Sequence, residues 1–399
     1  MPGKKIVISG IGCALADFIY LNISFQSAEF RKYLSRADGD GGLSPGKLVF
    51  LEELEKYAGK PYADILKEIT NGSHPASINL GGPGLVPLIH VSQLLDRKEF
   101  SVKFYGFTGN DKISKFVTEL LEKTPLDISN YIPGSKDTTP FTDVFSDPSF
   151  DNFNGERTFV NNIGAAWDYT PASLPEIFFK SHIVCFGGTA LVPKIHDDLT
   201  NLLKKAKHHH CVTVVNTVYD FRNEKAHPGE KWPLGNTTES SEFIDILLMD
   251  KEEALKISGS SSIETAAHYF QSLNISAFVI TNGAENITVY SNGNLFRKMA
   301  VSSFPVSSKV KENADLKGDT TGCGDNFAGG LIASIAEQLK RRTAGKLDFI
   351  EALSWAIASG GFACLFVGGT FFENEAGEKR KNVEEFKQDY LRQLKKGSN

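Results

Sequence analysis

The stretch Gly318-Asp319-Thr320-Thr321-Gly322-Cys323-Gly324-Asp325-Asn326-Phe327-Ala328-Gly329-Gly330 decides how this chain is read. It sets two glycines and an aspartate where a loop turns into a helix. From Asn326 the apolar spacing of Phe327, Leu331, Ile332, Ile335 and Leu339 predicts a helix over 326–340. The first backbone N–H groups of a helix lack internal partners and sit at the positive end of its dipole, so the tip attracts an anion. Gly322 and Gly324 leave room for a phosphate to approach the backbone. Asp325 beside such a tip would repel a phosphate unless it handles a proton there. Together these residues point to phosphoryl transfer to a hydroxyl, with Asp325 as base.

A plainer reading makes Asp325 a helix cap behind a glycine turn. Asp319, Thr320 and Thr321 already offer capping groups upstream. Gly329 and Gly330 within the helix each cost about 1 kcal/mol relative to alanine. Such glycines are kept where another backbone or a ligand comes close, which favours the functional reading.

The segment Gly318–Gly330 resembles the C-terminal signature of the ribokinase-like (PfkB) family of carbohydrate and nucleoside kinases, D-T-x-G-A-G-D-x-F-x-x-G, with Cys323 at the alanine position. Further segments follow in family order. Ile6–Asp17 is similar to the first strand ending in a substrate-holding aspartate, and Phe104–Asp111 to a G-x-x-G-x-D turn. Gly155-Glu156-Arg157-Thr158 with Gly164-Ala165-Ala166 resembles the G-E-R-T…G-A-A segment. Thr281-Asn282-Gly283 resembles the T-x-G at the nucleotide.

Two places depart. The N-terminal signature G-G-x-x-x-N keeps Gly81 and Gly82 as substrate-side glycines but has Val86 for its asparagine. The N-x-x-E motif that organises Mg2+ keeps Glu253 and has Asp250 for its asparagine, a mild change because Mg2+ takes oxygen ligands. The resemblance implies ATP and Mg2+, with Asp250, Glu253, Thr281 and Gly283 at the nucleotide and Glu253 reaching the metal through water. It further implies a monovalent cation, K+, near Asp319 and Thr321, closed by carbonyls around Ala363 and Gly368. Asp17, Gly81 and Gly82 would hold the acceptor, and the amides of Gly322, Cys323 and Gly324 would form the anion hole. Preorganised donors of that kind contribute about 2.7–4 kcal/mol each.

The chain has 399 residues, 41% hydrophobic and 23% charged, with 48 acids against 43 bases. That is the composition of a globular protein with a sizeable core and no basic nucleic-acid surface. Lys379-Arg380-Lys381 reads as a solvated face, and His208-His209-His210 as the polar end of a surface helix rather than a metal site. Five scattered cysteines indicate a reducing compartment. No apolar run approaches the ~18 residues of a membrane span, and the start of the chain carries no apolar signal core. A cytoplasmic protein is expected, with no membrane or nucleic-acid partner.

Strands are expected at 5–11, 102–107, 183–186, 212–216, 244–249, 277–281 and 288–291. Helices are expected at 84–95, 114–123, 194–207, 251–258, 263–273, 326–340, 348–366 and 383–394. The alternation implies a three-layer α/β/α fold around a mostly parallel sheet, with ligands at the carboxyl ends of its strands. Residues 18–80 and 138–162 stand apart as segments of a small β lid inside one kinase domain. The long first insert is nearer the adenosine-kinase-like branch, and the family often dimerises through the lid.

The expected activity is transfer of the γ-phosphate of ATP to a hydroxyl of a sugar or nucleoside. The alternatives are a nucleoside kinase specifically, or a relative that binds sugar or nucleoside with little catalysis. A dinucleotide-binding reading of Gly10-Ile11-Gly12 fails because Leu15 replaces the third glycine, and no G-x-x-x-x-G-K-[ST] loop occurs.

Overall fold

The computed structural model describes residues 5–37, 39–134, 138–153, 155–235, 237–312, 320–341 and 345–397. Fourteen strands run through it: β1 Ile6–Gly12, β2 Leu15–Tyr20, β3 Leu48–Phe50, β4 Ser77–Gly81, β5 Phe100–Thr108, β6 Asp127–Pro133 and β7 Phe141–Asp147, then β8 Glu156–Asn162, β9 Ile183–Gly187, β10 Val212–Asn216, β11 Ile246–Asp250, β12 Ala277–Thr281, β13 Ile287–Ser291 and β14 Met299–Phe304.

Nine of them form the main sheet in the order β14-β13-β12-β11-β10-β9-β1-β5-β6. From β6 to β12 every neighbouring pair is parallel, and β13 and β14 close one edge antiparallel. The strands are apolar on both sides because both faces are covered. Ile246, Leu248, Ala277 and Val279 face a core shared with helices Val86–Leu94, Cys323–Arg341 and Phe349–Ala363. Their neighbours Leu247, Met249, Phe278 and Ile280 face the opposite core, with helices Leu199–His208, Lys251–Ser258 and Ile263–Ser272. The period-two alternation thus builds the three layers.

The remaining strands form a second sheet, β3-β8-β7-β2-β4, from the stretches expected to stand apart. One of its faces, with Tyr20, Phe145 and Val160, packs on Leu54 and Ile65 of helices Leu51–Ala58 and Tyr62–Ile69. The rim also meets the main body: the Phe50 and Phe221 rings lie 5.9 Å apart, and Lys225 pairs with Glu53.

Four expectations change. Asp17 does not end the first strand of the main sheet; β1 stops at Gly12 and Asp17 lies on β2 of the second sheet. The helix after the signature begins at Cys323, three residues early, so Asp325 belongs to its first turn. The helix expected at 194–207 is broken at Asp198 into Pro193–Asp197 and Leu199–His208. Lys379 is no solvated residue: it is 1% exposed. His208, His209 and His210 are exposed, as read from the sequence.

Gly329 and Gly330 let three helices meet. A Cβ on Gly329 would lie 2.8 Å from the Pro87 carbonyl oxygen, and one on Gly330 would lie 2.6 Å from that of Trp355.

Candidate active site

The first turn of helix Cys323–Arg341 lies by the carboxyl end of β10, where Asn216 hydrogen-bonds Asp325, and the residues just before it meet the second sheet through Arg157 of β8. Gly322 enters that helix with φ +73°, and a Cβ there would lie 2.5 Å from Gly369 Cα. Only glycine takes that backbone angle and that contact together. The Asn326 side chain ties the two loops, donating to the carbonyls of Gly322 and Gly369, each at 2.8 Å. Its oxygen accepts from Lys379 Nζ, which also donates to Gln93 Oε1 at 3.0 Å. The Cys323 amide donates to the Thr320 carbonyl at 3.3 Å, so that member of the expected anion hole is engaged in the turn. The Cys323 thiol lies 3.3 Å from that of Cys364.

Asp325 is half-buried, and burial pushes its carboxyl up to about 7, against a hydrogen bond from Asn216 at the end of β10. Burial and then the charges of Asp17 and Asp325 raise the buried Cys13 thiol, so both carboxylates lie in its field. Asp17 is 7% exposed and stands over Gly81: a Cβ on that glycine would meet the Asp17 carboxylate at 2.0 Å. Gly82 follows directly, at the loop whose Gly84 amide donates to the Cys13 carbonyl. Val86 is buried, and its Cγ2 lies 3.1 Å from a Cβ built on Gly369, so it faces that loop.

Asp250 and Glu253 form a reciprocal capping box at helix Lys251–Ser258. Asp250 Oδ1 accepts from the Glu253 amide at 2.8 Å, and Glu253 Oε2 accepts from the Asp250 amide at 3.0 Å and from the Thr217 hydroxyl at 2.5 Å. Glu253 is 8% exposed. Burial raises its pKa, the Asp250 charge adds to this, and Asp325 contributes as well. Asp250, Thr281 and Gly283 line an adjoining open hollow of about 320 Å3, so these expected nucleotide residues do come together.

Thr321 lies just before the helix, where its hydroxyl accepts from Arg157 of β8; the same guanidinium donates to Thr320 Oγ1 at 3.1 Å. Asp319 lies outside the described residues. Among the described residues no three His, Cys, Asp or Glu side chains gather as a metal cluster. Arg157, Asn216 and Thr217 are site neighbours that sequence reasoning did not single out, and Lys379 is one that it assigned to a solvated face. Arg157 stood in a quoted motif, and Asn216 ends a recognised strand that Thr217 follows, which was the available signal.

With this geometry in view, residues 64–374 match the pfkB family of carbohydrate kinases. The chain belongs to that family. It is a kinase, and the family implies ATP as phosphate donor. Solved structures with the same fold include adenosine kinase from Schistosoma mansoni in complex with 2-fluoroadenosine, 17% identical with TM-score 0.68, covering 92% of this chain and 97% of that one. Adenosine kinase from Sinorhizobium meliloti is 16% identical with TM-score 0.68, covering 96% and 99%. Ribokinase from Thermotoga maritima is 17% identical with TM-score 0.61, over the same shares. No helix among the described residues of this pfkB kinase is long and apolar enough to cross a membrane.

Proposed function

We propose that this kinase transfers the γ-phosphate of ATP to a hydroxyl of a small sugar or nucleoside, with Asp325 as general base. The observation that carries this reading is the half-buried Asp325 carboxyl in the first turn of helix Cys323–Arg341, beside Asn216, acting on Glu253 and, with Asp17, on the Cys13 thiol. A base is most effective when its pKa lies near the working pH, and burial brings Asp325 there.

In this reading Asp17 accepts hydrogen bonds from acceptor hydroxyls and sets their orientation. Asp325 takes the proton of the attacking hydroxyl. First-turn amides of the helix, including that of Gly324, and the Arg157 guanidinium face the charge on the transferred phosphoryl group. Arginine suits this role because its planar fork matches phosphate oxygens. The nucleotide lies in the hollow of Asp250, Thr281 and Gly283. Closure of the second sheet excludes water, which protects ATP from hydrolysis.

Asp250 and Glu253 fit Mg2+, which is commonly held by one or two carboxylates together with substrate phosphates and waters. When bound, the ion would neutralise phosphate charge. The Thr321 hydroxyl is already engaged by Arg157, and no step proposed here passes through K+.

The test is phosphorylated product from ATP, Mg2+ and a panel of ribose, fructose, ketohexose phosphates, adenosine and inosine. Turnover with any acceptor that survives in Asp325→Ala at the native rate would overturn the assignment of the base. Ligand binding without product would favour the non-catalytic alternative.

A further inference from the structure

The five cysteines differ in what can reach them. Cys13, Cys185 and Cys211 are buried, and burial raises the thiols of the first two and pushes that of Cys211 up to about 11. Thiols of that kind stay protonated and inert. Cys323 and Cys364 are half-buried, and neither thiol takes part in the phosphoryl transfer proposed above.

Cys323 opens helix Cys323–Arg341, and Cys364, 41 residues later, caps helix Phe349–Ala363. Their sulfurs lie 3.3 Å apart. The backbones are close as well: a Cβ on Gly360 would lie 3.2 Å from the Cys323 carbonyl oxygen. A disulfide holds its sulfurs at about 2.05 Å, so the gap left to close is about 1.2 Å. Among the described residues no cluster of three His, Cys, Asp or Glu side chains includes the pair, so two-electron oxidation is the chemistry it is placed for.

We infer that Cys323 and Cys364 form a modification site, closed by hydroperoxides to a disulfide that switches the kinase off and reopened by dithiols. One thiolate attacks a peroxide oxygen, the O–O bond breaks, and a sulfenic acid forms as the first water leaves. The second thiolate attacks the sulfenic sulfur, the S–O bond breaks, and the S–S bond forms as a second water leaves. The two thiols have then given two electrons and two protons to the peroxide. A dithiol returns them by exchange. In a reducing compartment such a bond is transient and reports oxidant.

Formation of the bond is independent of the kinase reading; its effect on turnover rests on that reading. Cys323 lies between the two glycines of the proposed anion hole and two residues before Asp325. Cys364 leads into the loop whose Gly369 carbonyl accepts from Asn326 at 2.8 Å and whose backbone presses on Gly322. Drawing the sulfurs together shifts and fixes the first helical turn, where the base stands. A misplacement of about 1 Å at a reacting group costs about a hundredfold in rate.

In the experiment the reduced protein is treated with hydrogen peroxide, its remaining thiols are alkylated, and its peptides are mapped by mass spectrometry. Turnover is read on the same samples with ATP, Mg2+ and the acceptor panel, before and after dithiothreitol. The expected map shows a crosslink between Cys323 and Cys364 within one chain, with turnover down about tenfold or more and restored by dithiothreitol. Cys323→Ala and Cys364→Ser, each compared with its own untreated sample, should form no such crosslink, and the alanine form should keep its untreated turnover. A map in which the pair stays unlinked, or joins other cysteines or other chains, overturns the proposal. So does full turnover in the crosslinked protein, or an equal loss of turnover in Cys323→Ala. A reduced protein that makes no product with any acceptor would defeat the kinase reading, while the crosslink found in it would still uphold the modification site.

Discussion

The buried Lys379 ammonium donates to the Asn326 carboxamide at 2.9 Å, and through that contact helix Glu378–Gly397 supports the first turn of helix Cys323–Arg341. Burial pulls Lys379 down to about 7, with Glu373 opposing. Two terms act on Lys379→Met. Each hydrogen bond lost from a charged donor costs about 1.5–3 kcal/mol, while removing the buried charge relieves desolvation. The expected net change in stability is below about 2 kcal/mol. Turnover should fall about tenfold, the equivalent of 1.4 kcal/mol, as Asn326 loosens. Paired unfolding and kcat measurements check this; a large loss of stability with unchanged kcat per folded molecule would make the lysine purely structural.

Asp325→Asn should lower kcat by roughly 10^2–10^4-fold, the usual contribution of a positioned base. In the native enzyme kcat/KM should rise with pH through about 7 as the carboxyl loses its proton. The effect on stability has the opposite direction. A carboxyl raised above its unfolded value of 3.8 favours the folded state while protonated, so its contribution is full below pH 3.8 and lost as pH rises through about 7. Asp325→Asn should therefore melt above the native protein at pH 8 and show little gain at pH 4. Melting curves at the two pH values decide it.

Glu253→Gln isolates charge from structure. Glutamine at the third helical position still completes a capping box with Asp250. Burial and then the Asp250 charge raise the Glu253 carboxyl to about 8, so melting should change little below the unfolded carboxyl value and rise above native as pH climbs through the folded one. The Mg2+ concentration for half-maximal rate should rise about tenfold, as for a lost supporting carboxylate. A titration of rate against Mg2+ at fixed ATP reads the outcome, and an unshifted midpoint removes Glu253 from the metal site.

Arg157→Lys keeps the charge and loses the fork that spans Thr320 and Thr321. The residue is half-buried, so stability should change little. Activity should drop by about one to two orders of magnitude if the guanidinium faces the phosphoryl group. Single-turnover rates distinguish a slower chemical step from slower release.

Gly330→Ala sets a helix gain of about 1 kcal/mol against overpacking of about 1–3 kcal/mol. The added Cβ would lie 2.3 Å from Ser359 Oγ and 2.6 Å from the Trp355 carbonyl oxygen. Backbone cannot yield as a side-chain tip does, so the clash wins and the melting temperature falls. Calorimetry tests the sign directly.

The main sheet was legible because its strands are short, apolar on both faces and separated by amphipathic helices. The signature at 318–330 was legible because its glycines and aspartate have few other uses together. The second sheet was legible only as a region set apart: β3 is three residues long, and its packing partners come from helices within the insert. Lys379 misled because a basic triplet ordinarily faces solvent; only the tertiary placement of Gln93 and Asn326 gives its ammonium partners. Asp17 was read as a strand end because the turn between Gly12 and Leu15 carries no proline and no pair of turn formers. The early helix start at Cys323 escaped because glycine and aspartate say turn as readily as first turn.

The small sheet is sewn from two distant stretches of chain: β2, β3 and β4 within 15–81, and β7 with β8 at 141–162. Each stretch leaves and re-enters the main body, so no single cut removes the cap and no cassette can be exchanged for it. Retuning which molecule the enzyme accepts must then proceed one side chain at a time, within a cover whose backbone belongs to the scaffold beneath it.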